Sequence, residues 1–168
     1  MRLRAIALVS LLGLTWASRG AALQPAAKII AQPDAPIAIT SYSAMYRERT
    51  NYSQEGIQHS VEYKNNSGKV VDAVEIGLVS FDVWNEFLNR TGGVALETLA
   101  PGASKKGSWL ASAYADFSFL TGVAYVRRVR FRDGSIWSVD LNTIAQELSS
   151  IESGFDVARL KEKEKEKK

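Results

Sequence analysis

His59 is the chain's only histidine, and cysteine is absent. Those two facts close most of the chemistry a sequence of this size could carry. A serine nucleophile needs a basic partner, and histidine is the usual one. A metal site needs several convergent ligands. His59 sits instead in a run where Ile57, Val61 and Tyr63 share its side, which reads as a packed or edge position of a strand. The carboxylates Asp72, Glu75, Asp82 and Glu86 are scattered near turns without metal-ligand spacing. No phosphate-cradling glycine loop, EF-hand pattern or His-Glu-x-x-His motif occurs. Glycosidase carboxylates need not be close in sequence, so a small hydrolase built on acidic residues stays open as the weakest alternative. The expectation is a chain that is not an enzyme, with no cofactor and no metal.

Two other groups of side chains suit binding rather than catalysis. Arg128, Arg130 and Arg132 alternate with Val129 and Phe131, which puts three guanidinium groups on one face of a strand. At ~3.3 Å per residue they form a basic stripe about 13 Å long. Such a stripe is either a solvated face whose stems cover apolar neighbours or a docking site for an anionic partner. That partner would be lipid head groups, acidic polysaccharide or an acidic protein face. Tyr114, Phe117 and Phe119 crowd one irregular connection, Ala111 to Gly122. Their rings either cap the core or form a rim that holds a ligand. Trp84, at the tip of a turn, is a third candidate for a partner surface.

The elements that must position these residues are mostly strands. Ile37 to Tyr46, Ile57 to Lys64, Val70 to Val83 and Lys105 to Leu110 carry period-2 or β-rich patterning. Asn65-Asn66-Ser67-Gly68 predicts a tight hairpin turn, so that Ile57–Tyr63 pairs back on the long run after it. In that long run Val74, Ile76 and Leu78 share one side while Phe81 and Val83 fall on the other. The switch predicts a bulge near Val79-Ser80. Asn89 to Gly93 reads as a second interruption and Val94 to Leu99 as a separate short strand. Gly122 to Val139 is the clearest hairpin, with Val123, Tyr125, Val129 and Phe131 on one face and a type I′ turn at Asp133-Gly134. After Asp140 the period changes. Ile144, Leu148, Ile151 and Phe155 form a helical stripe, capped by Asn142 or Thr143, which packs back on its own sandwich.

A chain of 168 residues with 46% hydrophobic and 23% charged residues fits one globular domain of roughly 100–150 residues with appendages. Its start has Arg2 and Arg4, an apolar run from Ala5 to Trp16, then small residues, the pattern of a secretory signal peptide. That run is short of the about 20 residues a transmembrane helix needs, and cleavage is expected after Ala17 or Ala22. The formal charge of +3 comes from Arg2, Arg4 and Arg19. Without them the rest is neutral, which removes the electrostatic footprint of a nucleic-acid binder. The expected organisation is a signal peptide (1–22), a proline-containing linker (23–36), a β-sandwich domain (37–140), a C-terminal amphipathic helix (141–160) and a disordered charged tail (161–168). The expected place is the periplasm or the exterior, with no transmembrane segment in the mature chain and a monomer favoured.

Several of these features resemble the small bacterial envelope domains of the FxLYD type and similar immunoglobulin-like domains. Asn65-Asn66-Ser67 is similar to the asparagine-rich turn before their long strand, and Leu78-Val79-Ser80-Phe81-Asp82 resembles the motif itself. Pro101-Gly102 resembles the turn before the next strand, and the run Val129 to Trp137 resembles the closing hairpin of related exported domains. Leucine and serine stand where the motif has its first and third residues. The resemblance covers about residues 57–140 and implies an all-β, antiparallel, immunoglobulin-like sandwich of about seven strands. It carries over no catalytic residue. The function expected is an exported, non-catalytic binding or adaptor domain, its partner an envelope protein or an anionic envelope component. The alternative is a structural envelope module that self-associates through an edge strand or the C-terminal helix.

Overall fold

The computed structural model describes residues 23–111 and 118–161. The signal-peptide expectation (1–22), Tyr114, Phe117 and nearly all of the charged tail lie outside the described residues. Within them the chain forms β1 (Ala26–Ile29), β2 (Ile37–Arg47), β3 (Gly56–Asn65), β4 (Val71–Asp82) and β5 (Phe87–Ala95). These are followed by β6 (Ser104–Ala111), β7 (Phe119–Phe131), β8 (Ile136–Ser138), α1 (Leu141–Leu148) and a 3₁₀ turn at Val157–Leu160. The strands make two sheets. Sheet one runs β1-β7-β4-β5, with β8 also on β7; sheet two runs β2-β3-β6. The molecule is mostly β, two sheets face to face, as the alternation predicts.

Sheet one is covered on one face by sheet two and, at the end carrying Val79 and Phe81, on the other by the C-terminal segment, and this explains the apparent face switch in β4. Val74, Ile76 and Leu78 point between the sheets, among Ile37, Val61, Tyr63, Leu99 and Val126. Val79 and Phe81 point the other way, onto Ile144, Leu148, Phe155 and Leu160. A strand buried on both sides needs no bulge to turn its hydrophobes round. The pairing with β5 does shift at Ser80/Phe81, but the extra residue is Leu88 on β5, and β4 keeps its alternation from Val74 to Phe81.

The true reversal of faces is in β7. Glu75 pairs Arg128 while Ile76 pairs Val126, so Arg127 is the extra residue of a bulge. Before it, Val123 and Tyr125 face the helix; after it, Val129 and Phe131 face sheet two. The four residues expected on one face are therefore split between two. The bulge keeps apolar residues inside along all of β7 and turns three arginines outward on the helix side.

Three further expectations are corrected. β3 does not pair with β4; the chain crosses between the sheets at Asn65–Ser67, and β3 pairs β2 and β6 instead. Asn65 is fully buried there and braces the crossing. Its Nδ2 donates to the carbonyls of Lys69 (2.8 Å) and Leu99 (3.0 Å), and its Oδ1 accepts from the Ser67 amide (2.9 Å). Next, β5 runs unbroken through Asn89–Gly93, because Gly93 supplies room rather than a turn. A Cβ on Gly93 would stand 2.4 Å from the Trp109 ring. Finally, 23–36 is more than a linker. β1 joins β7 in parallel, and the Gln32 carboxamide continues the ladder by bonding both the amide and the carbonyl of Val126. β1 brings the strand total to eight among the described residues.

The turn after β7 differs in type from the expectation. Gly134 has φ 84 but Asp133 does not have a positive φ, so the turn is not type I′. At the C-terminus, Asp140 rather than Asn142 or Thr143 caps α1, accepting from the Asn142 amide at 2.9 Å. The helix stops at Leu148, and Gly154, at φ 73, turns the chain back. Ile144, Leu148 and Phe155 are buried against sheet one and Ile151 packs beside them, as the stripe predicts.

Candidate binding face

Helix α1 and the 3₁₀ turn cover only the end of sheet one that carries Val79, Phe81, Val123 and Tyr125. The other end of that face, built from β8, β7, β4 and β5, stays open. Side-chain alternation dictates what it shows. Ala73 and Glu75 come from β4, Arg128 and Arg130 from β7, Val94 from β5 and Ile136 from β8. These residues line a shallow depression whose surface is mainly apolar. Ile136 is 60% exposed and Val94 53%, while Ala73, having only a methyl group, leaves the floor low.

Charge on this face is partly tied down. Glu75, buried at the centre, accepts from Arg128 Nε at 2.5 Å and lies 3.1 Å from Arg127 Nη1. Arg132 donates to Asp72 (3.0 Å) and to the Thr98 hydroxyl (2.7 Å). Arg130 is exposed and makes no ion pair among the described residues. Of the three arginines of the stripe, one is thus held by a buried carboxylate, one by a half-buried carboxylate, and one stands open beside Ile136.

The remaining candidates scatter. Phe119 is buried with Ala44 and Ile57 and belongs to the core. Trp84 is 78% exposed at the tip of the β4–β5 turn and does not fold back on the sheet. Asp82 holds that tip, its Oδ1 accepting from the amides of Trp84 (2.8 Å) and Glu86 (2.9 Å). The apolar members of the open face, Val94 and Ile136, escape sequence reasoning. A single outward hydrophobe in a strand has no signature until the partner strands are known.

His59 is fully buried between the sheets. Burial pushes its pKa down from 6.5 to about 4, so the ring is neutral at ordinary pH. The Tyr42 hydroxyl sits 2.9 Å from its Nδ1, and burial pushes the Tyr42 pKa up. Tyr63 is raised to about 12, by burial first and then by Glu97. Among the described residues, no three histidine or carboxylate side chains gather where they could hold a metal ion. No helix among them is long and apolar enough to cross a membrane.

No protein-family model matches the chain, and no curated protein does. The structure is similar to a crystal structure of a hypothetical protein from Peptoclostridium difficile 630. Their TM-score is 0.52 at 12% identity, over 71% of this chain and 93% of that one. At that identity the likeness shows the fold alone.

Proposed function

We propose that the chain is an exported, non-catalytic binding module of the cell envelope, built on an immunoglobulin-like sandwich of the FxLYD kind. The strand order β2-β3-β6 against β8-β7-β4-β5 supports the immunoglobulin-like reading, since both sheets mix strands from early and late in the chain. The basic, apolar and small-residue pattern of the first 22 residues supports export.

Docking takes place on the open half of sheet one. The observation that carries this reading is Arg130, unpaired among the described residues and set beside Ile136 over the low floor at Ala73. A carboxylate next to an apolar side chain would satisfy both features at once, so the partner is an acidic, leucine-bearing segment of another envelope protein. The helix stripe is used up in the chain's own core, which favours this reading over self-association through the helix.

Peptides that alternate glutamate or aspartate with leucine provide the test, with vesicles of phosphatidylglycerol as the competing anionic surface. Amide shifts at Ala73, Val94, Arg130 and Ile136 on peptide addition, weakening with salt and lost in Arg130→Glu, support the reading. Binding to the vesicles alone would replace the protein partner with a lipid. Binding to neither, or binding unchanged in Arg130→Glu, removes the function from this face.

A further inference from the structure

Among the described residues, four buried polar atoms inside the sandwich have no hydrogen-bond partner: His59 Nε2, Ser80 Oγ, and both Nδ2 and Oδ1 of Asn89. They come from three strands, and the pairing registers bring them together. Ser80 pairs with Asn89 on one side and with Gly122 on the other, so the three form one row across sheet one. Ala44, His59 and Trp109 form one row across sheet two.

Gly122 shows that these rows face each other. A Cβ there would stand 2.4 Å from the Tyr42 hydroxyl and 2.6 Å from the Ala44 Cβ. With Ala44 over Gly122, the next strands inward set His59 of β3 over Ser80 of β4. The Tyr42 hydroxyl reaches His59 through the room that glycine leaves.

The four atoms also match one another chemically. With Tyr42 taken as the donor to His59 Nδ1, the proton of the neutral ring lies on Nε2 and is free to donate. Asn89 Nδ2 is a second donor, Asn89 Oδ1 an acceptor, and Ser80 Oγ, which can play either part, completes the set as an acceptor. Two donors and two acceptors are the complement of one tetrahedral water. Leaving all four unmade would cost a sizeable part of a domain's marginal stability, and buried groups of this kind are ordinarily satisfied by internal water.

We propose that this row is an internal water site: an ordered water bound by His59 Nε2–H, Ser80 Oγ and the Asn89 carboxamide, tying β3 of sheet two to β4 and β5 of sheet one. It accepts from His59 and Asn89 Nδ2 and donates to Asn89 Oδ1 and Ser80 Oγ. The site takes a small neutral hydrogen-bonding molecule and has no place for an ion.

The experiment is NMR on the folded full chain near neutral pH. Water–protein cross-peaks are read at the His59 ring and the Asn89 carboxamide, and magnetic relaxation dispersion of the solvent counts long-lived waters. The expected result is a His59 ring protonated at Nε2, cross-peaks to water at both residues, and a dispersion amplitude lower by one water in Asn89→Leu. If Asn89→Leu does not fold, the milder Ser80→Ala serves instead, with the water's residence time expected to shorten several-fold. A ring protonated at Nδ1, absence of the cross-peaks, or a dispersion unchanged in the variant that folds would overturn the assignment.

Discussion

The ring of Tyr42 lies parallel to that of His59, 5° between planes and 6.1 Å between centroids, with the hydroxyl against Nδ1. A tyrosine from an edge strand thus covers the chain's one histidine in the middle of the sandwich. Charging that ring means placing a cation in the core, and burial lowers its pKa accordingly.

Stability should therefore fall in mild acid through this one residue. The folded-state pKa, about 4, is below the ordinary value of 6.5, so the unfolded chain binds the proton more tightly. The stabilisation of the neutral ring is fully present above about pH 6.5 and is lost as pH falls from there towards 4. A shift of that size corresponds to about 3 kcal/mol over the window. Urea unfolding at pH 7 and pH 4.5, on the native chain and on His59→Leu, measures it. The native chain should lose most of that amount relative to the variant. An equal response of both would show that His59 is not held neutral by the fold.

Asn65→Asp is expected to destabilise the chain although it preserves shape. The Nδ2 group that donates to the carbonyls of Lys69 and Leu99 would become an oxygen facing two oxygens inside the protein. Losing two bonds and burying the mismatch costs about 3 kcal/mol. Ser67→Ala, which removes a hydroxyl donating to the same Oδ1 at 2.7 Å, should cost about 1 kcal/mol. Thermal or urea midpoints decide between the two sizes. Similar losses in both would mean that the amide does not brace the crossing.

These two positions also mark how far the sequence could be read. Alternation about His59 announced a strand with that side inward, because a period of two needs only the residue's own neighbours. Asn65–Gly68 announced a turn, since asparagine and glycine advertise local backbone freedom. Which strand lies beyond a turn is a tertiary matter, and the chain changes sheets there instead of folding back. The β4 pattern misled for a related reason: hydrophobes on both sides look like a slip until a helix from 60 residues on is known to cover one of them. In the binding face, the arginines were visible by spacing. Their pairing with Glu75 and Asp72, and the exposed Val94 and Ile136 beside them, depend on strand neighbours that no local pattern encodes.

Gly93→Ala should test how tightly the sheets are keyed together. The Trp109 ring is wedged against Gly93 of sheet one and Gly107 of its own sheet, with a Cβ at either place 2.4 Å or less from ring atoms. Adding one methyl group at Gly93 forces the indole off its rotamer or the sheets apart, at a cost of about 1–3 kcal/mol. The Trp109 indole resonance should shift in the same variant. Native-like stability and an unmoved indole would mean the ring has room to yield.

Arg130 and Glu75 line the same depression on the open face, yet their replacement should have opposite consequences. Arg130 is exposed without an ion pair among the described residues, so Arg130→Glu should change stability by no more than about 0.5 kcal/mol while abolishing any acidic partner's attachment. Glu75 is buried, with its carboxylate on both Arg127 and Arg128, and the Arg127 side chain is only 12% exposed. Glu75→Ala leaves two guanidinium groups crowded at the β7 bulge. Removing one partner of a buried pair costs about 3–5 kcal/mol; Arg128 is half exposed, so about 2 kcal/mol is expected here. Unfolding midpoints together with peptide binding separate the two roles. A destabilised Arg130→Glu, or a Glu75→Ala that keeps its stability, would mean that the scaffold and binding roles have been assigned to the wrong residues.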